Sequence, residues 1–279
     1  MVQAASLQTR IEELFARKAD QFDEEYFQAF DELKAALNQG CIRASEPTPT
    51  GWKVNTWVKK GILLGFRIGR VVEMPVTGFT FCDKHTFPLK QIPLEQAVRV
   101  VPGGSSVRDG CYIGKGVTLM PPMYINVGAY VDEGTMIDSH ALVGSCAQIG
   151  KRVHLSAGTQ VGGVLEPVGS FPVIVEDDVL VGGNCGIYEG TLVGQGAVLA
   201  AGTILTGSTP VYDLVQGKVY RGEGEKPLVI PPRAVVVPGA RAVAAQRGRD
   251  WGLSLYTPVI VKYRDAKTDE AVRLEELLR

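Results

Sequence analysis

The sequence predicts a mainly β chain wound into a parallel β-helix, with a helical segment before it and a short strand-and-helix extension after it. Three observations carry the prediction. Aliphatic residues recur at every sixth position from Val107 through Ile113, Leu119, Ile125, Val131, Ile137, Val143, Ile149 and Leu155 to Val161. The beat resumes at Val175 and runs through Val181, Ile187, Val193 and Leu199 to Leu205, so that all 16 positions carry Val, Ile or Leu. The fourth residue after each aliphatic is usually small or β-branched, as at Val117, Ala129, Thr135, Ala147 and Thr159. Glycine, 33 residues in all, gathers in the middle of the chain and often follows the aliphatic directly, as at Gly114, Gly144, Gly150 and Gly182, where a missing Cβ permits a tight corner. A period of six fits neither a 3.6-residue helix nor an array of hairpins; it marks strands and corners stacked as a solenoid, three hexads to a coil.

Taken in chain order, residues 1–95 read as a small, mostly helical domain. Leu7 to Leu37 is charged and amphipathic with Gly40 as a stop, and Trp52 to Phe66 has a second helical periodicity. Residues 96–237 are the β-helix, roughly five to six coils at about 4.8 Å each. The beat breaks between Val161 and Val175, a gap of 14 where 12 would continue it, so a loop is expected near 162–174 with Glu166 to Phe171 bulging out. A larger excursion near 206–230 includes Val211 to Lys226, polar and irregular, before Pro231 to Val237 reads as a closing strand. Loops leaving a rigid solenoid are natural binding elements. In residues 238–279, Ser254 to Tyr263 alternates as a strand and Thr268 to Leu278 favours a terminal helix, together covering the open ends of the coils.

Composition excludes several classes of function. With 29 basic against 30 acidic side chains the chain has no broad field to draw nucleic acid or an anionic membrane, although a local basic patch could hold a phosphorylated ligand. Met1 to Arg10 lacks a basic segment followed by an apolar run, and no apolar stretch approaches the roughly 20 residues that cross a bilayer, so a cytoplasmic location is expected. Cys41, Cys82, Cys111, Cys146 and Cys185 are far apart with no Cys-x-x-Cys pair, which suggests reduced thiols rather than a disulfide framework or a thiolate metal site.

The hexads resemble those of hexapeptide-repeat acyltransferases, and that resemblance implies a left-handed winding. Three stretches narrow the likeness to tetrahydrodipicolinate N-succinyltransferases. The first is Trp57-Val-Lys-Lys-Gly-Ile-Leu-Leu-Gly-Phe66-Arg67. The second runs from Asn126-Val-Gly-Ala-Tyr-Val-Asp-Glu-Gly-Thr-Met-Ile-Asp138 into Gly144-Ser-Cys-Ala-Gln-Ile-Gly150 and Gly162-Gly-Val-Leu-Glu-Pro167. The third is Ser254-Leu-Tyr, followed by Val259-Ile-Val-Lys, Asp265-Ala-Lys-Thr and Glu275-Glu-Leu-Leu278. The resemblance implies a homotrimer with active sites between adjacent prisms and succinyl-CoA as acyl donor. The acceptor it implies is the amine derived from tetrahydrodipicolinate in lysine and diaminopimelate biosynthesis.

Acyl transfer from a thioester to an amine needs an unprotonated amine, a polarised carbonyl and a held geometry. Asp138 stands where the family places a substrate-contacting aspartate and would act as the base; an aspartate at a corner can also simply bond turn N–H groups. Arg99 matches the family's substrate-binding arginine and would pair with a carboxylate of the acceptor. One departure stands out: Gly182-Gly-Asn-Cys-Gly186 occupies the place of a motif ending in Glu, so the second catalytic carboxylate falls on Gly186, and Glu189 is the nearest acid to replace it. Discounting two extra loop residues, Ile187 lies 48 positions beyond Ile137, not a multiple of 18, so Asp138 and Glu189 are expected on different faces, to be joined only by a neighbouring subunit. Lys218, Arg221, Arg233 and Arg241 are candidates for the phosphates of CoA.

Alternatives remain at this point. Some hexapeptide acyltransferases use a histidine base, which brings in His140 and His154, each read here as a surface side chain. No metal is expected: a zinc site of the carbonic anhydrase kind needs about three converging histidines, whereas His140 and His154 are 14 apart and His85 precedes the prism. The repeat does not separate succinyl-CoA from acetyl-CoA, nor this acceptor from a related amino acid. The missing carboxylate at Gly186 leaves room for a non-catalytic assembly module.

Overall fold

The computed structural model describes residues 2–18, 21–76, 78–224 and 226–265. Three helices come first, α1 (Val2–Ala16), α2 (Glu24–Asn38) and α3 (Thr56–Ile68). The amphipathic stretch predicted over 7–37 is thus divided in two. Asp23 begins the second half by accepting the Glu25 N–H, with Glu24 and Glu25 at the positive end of the helix dipole. Two hairpins, Ser45–Thr48 with Gly51–Val54 and Val71–Val76 with Phe79–Lys84, also lie in this region, so it is less helical than its sequence suggests.

Trp52 belongs to a strand rather than to the start of α3. Trp52, Lys53 and Val54 alternate with a period of two, and the indole Nε1 donates to Glu176 Oε1 on the prism at 3.0 Å. Beside it, the Arg43 guanidinium lies 3.6 Å from the centroid of the Tyr130 ring. The helices share a core of Ile11, Leu14, Phe30, Leu33, Ile62 and Leu64 that takes in Val127 and Cys146 from the prism, so the helical layer is packed onto the coils.

The hexads form a left-handed, three-faced parallel β-helix. Most of its strands are two residues long and, away from the inserted loops, pair with residues 18 further on, as in Tyr112 with Tyr130, Met136 with His154, and Leu142 with Gln160. The first face stacks Val100, Leu119, Ile137, Leu155, Val181, Leu199 and Val236. The second stacks Val107, Ile125, Val143, Val161, Ile187 and Leu205. The third stacks Ile113, Val131, Ile149, Val175, Val193 and Ile230. That makes seven rungs on one face and six on each of the others among the described residues, slightly more than predicted. All 16 repeat aliphatics are at most 7% exposed, each contributing about 1.5–3 kcal/mol of burial. Backbone N–H groups reach carbonyls one coil away, as in Met136 N to Val153 O and Leu142 N to Thr159 O, both 2.9 Å. Gly144 shows why the corners need glycine, because a Cβ there would run into the backbone of Gly162 and Gly163 in the next coil.

The first loop differs from its predicted size. Ile149 pairs through its strand with Val175, so Val161 and Val175 are successive hexads, and 14 residues stand where six would suffice: the insertion is eight residues, not two. Ile187 therefore falls on the second face, one hexad past the Ile137 face. The second excursion is also more regular than its polarity suggested. Val211–Asp213 and Lys218–Tyr220 form a hairpin that joins Ser254–Tyr263. Asp213 holds its turn, accepting from the Tyr263 hydroxyl at 2.6 Å and from the N–H groups of Val215 and Gln216 at 2.9 Å. Ala234–Ala242 pairs with Ser254–Tyr263 in a long antiparallel ribbon with a short helix, Gln246–Asp250, near its end. The helix predicted for Thr268 to Leu278 lies outside the described residues. Among the described residues no helix is long and apolar enough to cross a membrane.

Candidate active site

Asp138 follows the third rung of the first face and begins the corner that leads to the second. Its N–H is fixed to Leu155 O at 2.9 Å, and its Oδ1 accepts the Ser139 N–H at 2.7 Å. Its Oδ2 faces the His154 Nε2 at 4.0 Å; the aspartate side chain is 33% exposed and the histidine side chain 11%. One carboxylate oxygen is thus anchored while the other is accessible, the arrangement a general base needs if it is to be rigid and still meet a proton. His154 is buried, contrary to its reading as a surface side chain, and its strand stacks on that of Met136. The spacing of 18 between Met136 and His154 was the signal that could have placed it beside Asp138. His140, by contrast, is exposed at the corner with φ of +62°.

Arg99 lies in the same column. It pairs with Thr118, which pairs with Met136, so Arg99 and Asp138 share one face two coils apart, about 10 Å along the axis. The Arg99 side chain is exposed, at the first rung.

A second locus lies at the next corner. The inserted loop and the 206–228 excursion leave the prism side by side and enclose a groove of about 950 Å³. Phe171, Tyr188, Glu189, Ser208 and Lys226 line it, together with the backbones of several glycines, which leave the slot open along its length. Glu189 is exposed, and its Oε2 accepts the Gly207 N–H of the following coil at 3.2 Å. Gly186 is buried beneath the Tyr188 ring, whose nearest atom would be 2.5 Å from a Cβ at that position. The space that a side chain at position 186 would need is thus filled by the Tyr188 ring. Gly186→Glu is expected to push that ring out and lower stability by about 1–3 kcal/mol, readable as a drop in denaturant midpoint.

Asp138 and Glu189 occupy different corners, and the chain alone does not join them. Nor do the four candidate cations converge. Arg221 adjoins Gly222 at the lip of the groove and Lys218 lies on the adjacent hairpin. Arg233 sits at the corner between the third and first faces, its guanidinium donating to Arg264 O at 3.0 Å, and Arg241 lies along the C-terminal ribbon. Lys226, which its polar setting in Gly-Glu-Gly-Glu-Lys-Pro concealed, lines the groove instead. The buried thiols are unsuited to carry an acyl group, since burial pushes Cys111 and Cys146 up to about 12. Among the described residues, no group of three or more His, Cys, Asp or Glu side chains could hold a metal ion.

Residues 6–68 match the family described as tetrahydrodipicolinate N-succinyltransferase N-terminal, and residues 172–207 match the hexapeptide repeat of succinyl-transferase. The chain is 45% identical over 255 residues to a 2,3,4,5-tetrahydropyridine-2,6-dicarboxylate N-succinyltransferase of Azoarcus sp., covering 90% of this chain and 89% of that one. It is 39% identical over 280 residues to the protein of the same name from Dechloromonas aromatica, covering 98% of each. A solved structure from Campylobacter jejuni, a putative 2,3,4,5-tetrahydropyridine-2-carboxylate N-succinyltransferase, aligns with a TM-score of 0.48 at 15% identity, over 88% of this chain and 64% of that one.

Proposed function

Since the chain belongs to the tetrahydrodipicolinate N-succinyltransferase family, we propose that it moves a succinyl group from succinyl-CoA to the amine formed from 2,3,4,5-tetrahydropyridine-2,6-dicarboxylate, in lysine and diaminopimelate biosynthesis. It is a CoA-dependent acyltransferase acting on small molecules. The observation that carries the residue assignment is the column in which Arg99 and Asp138 share a face two coils apart. That span suits an acceptor with a carboxylate at one end and a nucleophilic amine at the other.

Arg99 anchors a carboxylate of the acceptor, where a planar guanidinium can give two parallel hydrogen bonds. Asp138 Oδ2 takes the proton as the amine nitrogen attacks the thioester carbonyl. The new C–N bond forms, the C–S bond breaks, and the CoA thiolate leaves and is protonated. Backbone N–H groups at a glycine-rich corner receive the negative charge of the tetrahedral intermediate. The groove at the second corner takes the pantetheine arm, with Arg221 and Lys226 nearest its mouth and Lys218, Arg233 and Arg241 as further phosphate candidates. Because the groove and Asp138 lie at different corners, the site is completed between two prisms of a homotrimer, with Glu189 supplied from the neighbour as a second acid. The reading places the enzyme in the cytoplasm.

Arg99→Met tests the acceptor end. The KM for the dicarboxylate is expected to rise about 10- to 100-fold, the loss of one charge-assisted contact, with the KM for the acyl donor unchanged. Steady-state kinetics with each substrate varied in turn checks this, and an equal rise in both values would remove Arg99 from the acceptor site.

A further inference from the structure

Lys59, in α3, is fully buried, and its Nζ donates to the Ser170 carbonyl at 2.6 Å. Burial holds its amine below the usual lysine range, opposed by the nearby Cys146 thiol. An amine in such a place is costly, and a methionine of similar volume would fill it without desolvating a charge. Its polar contact therefore needs a reason other than stability. Ser170 belongs to the eight-residue insertion, and Ser170 and Phe171 form one wall of the 950 Å³ groove. Phe171 presses its carbonyl against the corner at Gly190, where an added Cβ would lie 2.6 Å from that oxygen. At its other end the insertion is held by Leu165, which packs against the helical core. The insertion is thus tied to the helical layer at two points, one apolar and one a directed hydrogen bond.

We propose that Lys59 is a positioning residue for the acyl-donor groove: from helix α3 its amine fixes the Ser170 carbonyl and so sets the wall against which the pantetheine arm lies. This rests on the groove being the donor site, as argued above. It gives the N-terminal helices a part in catalysis through the width of a slot they do not line.

The test compares wild type with Lys59→Met and Lys59→Gln by steady-state kinetics, thermal unfolding, and hydrogen–deuterium exchange over residues 162–173. Lys59→Met is expected to raise the KM for succinyl-CoA about tenfold, the loss of one buried hydrogen bond, with kcat and the acceptor KM within about twofold of wild type. Exchange over 165–171 is expected to quicken while the melting temperature holds. Lys59→Gln, which keeps an N–H donor, should recover part of the donor KM. An unchanged donor KM, an equal rise in both KM values, unaltered exchange in the loop, or a general loss of folding in Lys59→Met would each overturn the proposal. Wild-type protein that releases no thiol from any donor would instead sink the donor-site reading, and the exchange measurement would still judge the Lys59 tie.

Discussion

Asp138→Asn is expected to lower kcat about 10²- to 10⁴-fold, the usual contribution of a positioned general base, while the fold and substrate affinities are kept. The amide can still accept the Ser139 N–H that anchors Oδ1 at 2.7 Å, so the corner keeps its shape. The oxygen facing His154 is the one that loses its basicity. Rapid-quench or steady-state turnover measured beside circular dichroism checks both halves of the claim. Near-normal turnover would return Asp138 to a corner role of the kind found at many turns.

Leu155→Ala is expected to cost about 2–5 kcal/mol, the largest effect on stability among the substitutions considered. Leu155 is fully buried on the first face, between Ile137 and Val181, and two-residue strands offer little freedom to close a cavity. Its neighbour His154 stands beside Asp138, so some loss of activity should accompany the loss of stability. Denaturant unfolding at a fixed protein concentration measures the first effect, and activity well below the unfolding transition measures the second. A loss under about 1 kcal/mol would mean that the coils collapse around the gap, against the close packing the stacked columns imply.

The prism was legible because one rule, an aliphatic every sixth residue, is repeated without a slip and each instance is satisfied by the coil above and below. The flanks were less so. Trp52 reads as helical by its apolar neighbours, but it is a strand residue because its indole finds Glu176, 124 positions away, and no local pattern contains that contact. The 211–220 hairpin hid for a similar reason: its polar residues are held by Asp213 and Tyr263, which meet only after the chain returns. The size of the first insertion was misjudged because a gap of 14 is compatible with one skipped hexad or none, and only the pairing of Ile149 with Val175 decides. At the site, Asp138 and Arg99 could be named from motif likeness, but their sharing a face rests on the pairing of Arg99 with Thr118, 19 residues on and one off the 18-residue coil. Lys59 and Lys226 could not be, since each acts through a loop whose path the six-residue beat does not specify.

The decisive assay follows release of free thiol when the purified protein is given tetrahydropyridine-2,6-dicarboxylate with succinyl-CoA, and in parallel with acetyl-CoA. Acceptor-dependent thiol release that is fastest with succinyl-CoA is expected. Release that is absent with both donors, or that proceeds at the same rate without the dicarboxylate, would contradict the proposed reaction.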